Sequence, residues 1–267
     1  MRTNRINTKI FQEDIRSLEN FIEIESFNQN TFFKFKTGIY ENLDLPGSNK
    51  YTYYYPDGSF SKNFKILNKY NTNFRSYFSN LKFSSDQKQS KINNNLSLDS
   101  NQKILRNFGL ISQYKFNVIN NNIYNDNVTN LKEKSNIDNY FTFALDTKLP
   151  LAKINRNSYQ ILSPRIFLKY TTGKMNNINE QDKILNFSDI FSMNRGTSDA
   201  PETGLSLGHG IDYTIRKSSG NFKRNLYSAS FGIGQVFRDN SEEKLPVKSS
   251  LNQKYSEFAG YFKYRKK

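Results

Sequence analysis

Asn194–Lys217 reads NRGTSDAPETGLSLGHGIDYTIRK, and its two halves obey different rules. Up to Glu202 it is a polar loop studded with Gly, Pro and Asp. From Leu205 onward small or apolar residues alternate with polar ones, which is the period of a half-buried β-strand. A long loop that feeds directly into so glycine-rich a strand needs a reason. The glycines at 204, 208 and 210 supply one if the loop or a neighbouring strand lies close against the backbone there.

The same period of two runs outward through the whole chain. In TFFKFKTGIY, Phe33, Phe35, Thr37 and Ile39 share one face and Lys34, Lys36, Gly38 and Tyr40 the other. From Phe64 the pattern extends through Ile66, Asn68, Tyr70, Thr72, Phe74, Ser76 and Phe78, opposite Lys65, Lys69, Asn71, Asn73 and Arg75. Tyr114, Phe116 and Val118, then Phe141, Phe143 and Leu145, then Ile166 and Leu168 repeat it.

Strand and turn signals predict about eleven strands. They are Leu18 to Phe27, Thr31 to Glu41, Tyr51 to Pro56, Lys62 to Phe78, Lys91 to Asp99, Asn107 to Asn120, Tyr140 to Leu149, Gln160 to Thr171, Leu205 to Arg216, Asn225 to Arg238 and Lys254 to Tyr264. Helix is expected to be near absent. Short connections (Asn28 to Asn30, Pro56 to Ser59, Lys217 to Arg224) are interleaved with longer polar ones (Asn42 to Lys50, Leu81 to Ser90, Asn121 to Asn139, Thr172 to Gly204). Such alternation on an antiparallel meander is the layout of a transmembrane β-barrel, so the expected fold class is all-β, an antiparallel barrel meander of about eleven strands. A soluble all-β sandwich or repeat alternates too, and the low mean hydropathy fits it. Interleaved lumen residues lower the mean in barrels as well.

Composition agrees with strands: aromatics are 15% of the 267 residues, as 23 Phe and 17 Tyr with no Trp. The net charge of +15 comes from basic residues scattered singly, without the clustered footprint of a nucleic-acid binder, and suits a surface meeting anionic lipid head groups. With no cysteine, disulfides and thiolate metal sites are excluded. The start, MRTNRINTKIFQED, lacks the apolar core of an export signal, and no run approaches the ~18 apolar residues of a membrane helix. Barrel strands escape that test, needing only ~9–11 residues with every second one apolar.

The C-terminal third carries a likeness beyond the pattern. IFSMNRGTSDAPETGLSLGHGIDY (from Ile190), SASFGIGQVFRD (from Ser228) and SSLNQKYSEFAG (from Ser249) resemble the barrel domain of the LPS-assembly protein LptD family. The matching positions are Phe191, Asn194, Arg195, Ser198, Asp199, Glu202, Gly204, Gly210, Asp212 and Tyr213, then Gly234, Gln235, Phe237, Arg238 and Asp239. Upstream, KYTYYYPDGSFSK (from Lys50) looks like that family's Tyr-rich strand with a Pro-containing turn, and TKLPLAKINRNSYQILSPRIFLKY (from Thr147) like its LPL hairpin. The likeness covers most of the chain and is sharpest from about Leu149.

The resemblance implies an outer-membrane conduit that places lipopolysaccharide in the outer leaflet. Its partners would be lipopolysaccharide, outer-membrane lipid, a lipoprotein plug subunit and the periplasmic bridge proteins, with no nucleic acid and no cofactor. The family barrel has ~26 strands and is preceded by an export signal and a periplasmic jellyroll. Residues 1–267 are therefore expected to be a segment of that barrel. A porin-like transport barrel and a soluble β-rich binding protein are the alternatives.

The candidate site is the polar loop, with Asn194, Arg195, Ser198, Asp199 and Glu202 satisfying one another as a buried network over the lumen. Lys65, Lys69 and Arg75 are the candidate lumen-facing cations. Asp199 and Glu202 could form an acid/base pair, but no pocket or second catalytic group accompanies them, which favours an Arg195-linked structural network and no enzyme. His209, the only histidine, is a strand residue rather than the centre of a metal site.

Overall fold

The computed structural model describes residues 16–83, 87–127, 135–197, 200–219 and 224–266. The described chain is all-β. Its strands are β1 (Ser17–Asn28), β2 (Thr31–Asn42), β3 (Tyr51–Ile66), β4 (Tyr70–Phe83), β5 (Lys88–Ser100), β6 (Lys103–Leu105), β7 (Leu110–Asp126), β8 (Ser135–Lys148), β9 (Leu151–Asn155), β10 (Ser158–Thr171), β11 (Gly204–Ser219), β12 (Arg224–Arg238) and β13 (Ala259–Lys266). Three short 3-10 turns, at Gly47–Lys50, Asp189–Phe191 and Lys248–Ser250, are the helical content described. The strands form one antiparallel meander in the order β1-β2-β3-β4-β5-β7-β8-β10-β11-β12-β13, with β6 beside β7 and β9 beside β10.

Two compact units make up the chain. The first comprises Met1–Phe60, Tyr77–Ile92 and Asn122–Asn136; the second comprises Ser61–Ser76, Asn93–Asn121 and Ile137–Lys267. In the first, β1 and β2 pair from Asn28↔Thr31 to Ser17↔Asn42. One face of that hairpin joins Glu19, Glu23 and Glu25 to Lys34 and Lys36, and the other carries Ile22, Ile24, Phe33 and Phe35.

The expected strands Tyr51 to Pro56 and Lys62 to Phe78 are redrawn. The PDGS stretch is not a turn but lies inside β3, and the chain reverses at Leu67–Lys69 instead. Leu67 and Asn68 have φ of 51° and 52°, and Lys69 N–H donates to Ile66 O at 3.1 Å. Two successive left-handed residues make the turn whose twist matches a hairpin. Asparagine tolerates that conformation, whereas leucine advertises nothing of it, so the sequence signal was weak. The long alternating run from Phe64 is thus split between two strands. Lys65 stands on β3, Lys69 in the turn and Arg75 on β4, all three exposed.

Two short strands were also missed. Pro150, which has no N–H to give to a ladder, separates β8 from β9. The two nevertheless flank β10 in succession, β8 over Arg165–Thr171 and β9 over Ser158–Leu162. The last strand begins at Ala259 rather than Lys254, since residues 254–256 run beside β12 as a looser segment.

The second unit shows a sheet with two unlike faces. Along β8, β10, β11, β12 and β13 one face is built of Phe141, Phe143, Leu145; Leu162, Ile166, Leu168, Tyr170; Leu205, Leu207, Ile211; Phe231, Ile233, Phe237; and Phe262. Register aligns them in rows, such as Phe143–Tyr170–Leu205 and Tyr213–Phe231–Phe262. Nothing among the described residues covers this face: Phe143 is 50% exposed, Ile233 49% and Phe262 72%. No Asp, Glu, Lys or Arg interrupts it over Leu205–Ile215 or Tyr227–Phe237; Lys217 and Lys266 come only at the end, both opposite Tyr227. The other face holds Asp146, Lys148, Arg165, Lys169, Asp212 and Arg238, and residues 172–197, 200–203 and 239–258 fold onto it.

Candidate functional site

Residues 172–203 reach the sheet through an apolar anchor. Ile190 and Phe191, on the 3-10 turn, pack with Leu185 and Leu251 against Ala144, Phe167, Val236 and Ala259. The glycine question finds its answer here. At Gly208 a Cβ would overlap the Ile190 carbonyl oxygen, so only glycine lets the turn lie flat on β11. Gly204, with φ of 87°, is the joint that swings the loop into the strand. The two long connections also meet each other: Ile178 N–H donates to Lys244 O, Leu185 N–H to Ser249 Oγ, and Met175, Ile178, Ala200 and Leu245 form a second small core.

Beside that anchor lies a buried ion cluster. Register places Ala144, Lys169, Ser206 and Arg238 in one row across β8, β10, β11 and β12. The small side chains of Ala144 and Ser206 leave room above the row, and Arg195 and Glu202 descend into it from the loop. Glu202 Oε2 accepts from Lys169 Nζ and from Arg195 Nη1, both at 2.7 Å, while Oε1 accepts from Arg238 Nη1. Arg195 also donates to Ser206 Oγ at 2.8 Å and, through Nε and Nη2, to Ile190 O at 3.3 and 3.1 Å. Arg238 donates to Thr203 O and Asn240 O. Lys169, Arg195 and Glu202 are 0–1% exposed.

Burial alone would push the Glu202 carboxyl up, but the charges of Arg195, Lys169 and Arg238 outweigh it and hold the group well below the usual carboxylate range. An enclosed carboxylate with three cationic donors has no proton to give. It works as a clamp, because removing any one partner would strand a buried charge. Lys183, half-buried in the same loop, donates to Gly196 O, and burial draws its ammonium below the ordinary lysine value.

Of the residues expected in the network, the structure brings Arg195 and Glu202 together. Asn194 stays local, donating its side-chain amide to Thr197 O and its backbone N–H to Ser192 Oγ. Ser198 and Asp199 lie outside the described residues. His209 stands on the uncovered face, opposite Ile166 and Gln235. Lys65, Lys69 and Arg75 take no part in the cluster.

Lys169 was not singled out from sequence, and Arg238 was named only as a position of the LptD-like motif, not as a member of the network. The signal for Lys169 was present in IFLKYTT, where it falls on the parity opposite Ile166, Leu168 and Tyr170. Arg238 ends β12 on the parity of Gly232, Gly234 and Val236. A second ion pair lies on the same face: Arg165 grips Asp146 with Nε and Nη2 at 2.8 and 2.5 Å, and its guanidinium stacks over the Phe191 ring at 4.4 Å. Neither models of known protein families nor curated proteins match this chain.

Proposed function

We propose that this chain forms part of the wall of an outer-membrane β-barrel that conducts lipopolysaccharide to the outer leaflet, with residues 172–203 and 239–258 folded inward as an internal closure. The carrying observation is the pair of unlike faces on β8 and β10–β13. In water a sheet turns its apolar face to a core and its charged face to solvent. Here the face without charges is the uncovered one, and the charged face is the one the loops enclose. That arrangement suits a hydrocarbon surround, where charge on the outer face costs ~2–4 kcal/mol at mid-height. Over Leu205–Ile215 and Tyr227–Phe237 the uncovered face carries no charged residue, a length that matches the ~9–11 residues a tilted spanning strand needs. Tyr227 with Lys217 and Lys266 marks one interface, where such side chains anchor.

Lipopolysaccharide as cargo rests on the likeness of the Asn194–Asp239 motifs to the LptD family, as do the lipoprotein plug and the periplasmic bridge as partners. The basic character of the chain accords with an anionic amphiphile.

The chain has no Trp, so single tryptophans can report position. The full chain, refolded in detergent and transferred to vesicles with brominated acyl chains, should show quenching of Phe143→Trp and Phe231→Trp and not of Thr214→Trp. A photoreactive residue at Thr214 should cross-link lipopolysaccharide. Quenching without cross-linking would leave a porin-like barrel; a protein that folds without detergent and shows no quenching would be a soluble binding protein.

A further inference from the structure

We propose that the charged face carries a phosphate-binding site centred on Lys148, distinct from the Glu202 cluster. Lys148 and Arg165 sit directly opposite each other in the β8–β10 register and project to the same face. Like charges so placed repel. Lys115 from β7 joins them around a cavity of about 140 Å³ also lined by Gln102, Gln113 and Asp146. Two of the three cations are occupied: Arg165 by Asp146, and Lys115 by Asp99 at 3.3 Å. Lys148 has no hydrogen-bond or ion-pair partner among the described residues. The cavity lining therefore holds three cations against one carboxylate, with an ammonium free to donate and an arginine fixed in place by its bidentate pair and by Phe191.

An oxyanion in this cavity would relieve the repulsion between Lys148 and Arg165 and take charge-assisted bonds from both lysines. A phosphate group has the acceptor oxygens for several donors at once and the size for a cavity of this volume. The phosphate can come from the headgroup of a phosphorylated amphiphile or from free inorganic phosphate. The headgroup source rests on the lipopolysaccharide reading above; the site itself rests on the cation geometry.

The test uses the full chain refolded in detergent, with titration of inorganic phosphate and, separately, of a phosphorylated glycolipid and its dephosphorylated form. Lys148→Gln should weaken inorganic phosphate binding by about tenfold or more, Lys148→Arg should restore it, and Lys62→Gln, on an exposed lysine of β3, should leave it unchanged. Glycolipid binding that needs both the lipid phosphate and Lys148 assigns the headgroup as a source. Glycolipid binding indifferent to Lys148, with inorganic phosphate still dependent on it, assigns free phosphate. Inorganic phosphate binding unaffected by Lys148→Gln in a folded protein, or no inorganic phosphate binding by the wild type at millimolar concentration, overturns the proposal. A chain that folds without detergent and still binds phosphate through Lys148 would sink the barrel reading and keep the site. A detergent-dependent fold with no Lys148-dependent binding would do the reverse.

Discussion

Lysine meets glutamate in two very different settings in this molecule. In the β1–β2 hairpin, Lys34 reaches Glu23 and Glu25 at 2.8 and 3.1 Å, with side chains between 25 and 52% exposed. In the second unit, Lys169, Arg195 and Arg238 close on Glu202 with side chains 0–5% exposed. Distances hardly separate the two sets. Water does: around the hairpin it screens the charges and competes for every donor, so such pairs contribute ~0–1 kcal/mol. Around Glu202 there is little water to screen or to substitute for a lost partner, and each charge is committed to the others.

Breaking the buried side should have the largest effect. Glu202→Gln leaves Lys169, Arg195 and Arg238 without their carboxylate and is expected to cost ~3–5 kcal/mol, read as a lower denaturant midpoint and new protease cleavage within residues 172–203. Strong protection of that loop in the mutant would mean that the apolar anchor alone holds it.

Acid does the same to the wild type. The folded Glu202 group titrates below its ordinary value of 4.5, so its contribution is complete above about pH 4.5 and is lost as the pH falls from there toward the depressed folded value. Loop protection should decline over that acid range in the wild type, while the Glu202→Gln profile should lack this component. Identical pH profiles for the two proteins would detach the loop from the cluster.

Gly208→Val tests the other half of the attachment. Its side chain would force the Ile190 carbonyl off β11, at a cost of ~1–3 kcal/mol, and should expose residues 185–193 to hydrogen exchange while β1–β2 is unchanged. The smallest effect belongs to the hairpin. Lys34→Ala should change stability by less than about 1 kcal/mol, and added salt should erase the difference; a loss as large as that of Glu202→Gln would end the contrast between the two settings.

Much of this was legible beforehand because the period of two is a local property. Phe141, Phe143 and Leu145 fall on one face wherever the strand goes, and the register of their neighbours follows from a meander with short turns. Glycines at 208 and 210 and the loop pair Arg195–Glu202 were likewise legible, since polar residues in a loop beside a small-residue strand imply a close, satisfied contact. Where the reading failed, the deciding forces were not local. PDGS has the composition of a turn, yet β3 runs through it, and at Gly58 the Phe78 side chain lies where a Cβ would stand. Leu67–Asn68 turns without glycine or proline to announce it.

The sequence by itself determined the all-β class, most of the strands and their two-sidedness, because alternation is written residue by residue, while the reversal at Leu67–Asn68 and the short strands β6 and β9 were not legible in it. Only the tertiary structure decided which face is covered and who shares Glu202. Lys169 and Arg238 stand 33 and 36 residues from Glu202 along the chain, and nothing local to either specifies that carboxylate as its partner. Their meeting depends on a row of register across four strands, on Ala144 and Ser206 leaving space above it, and on a loop held down by Ile190 and Phe191. Such a charge cluster exists only where packing has already excluded water, and that exclusion is a property of the assembled fold.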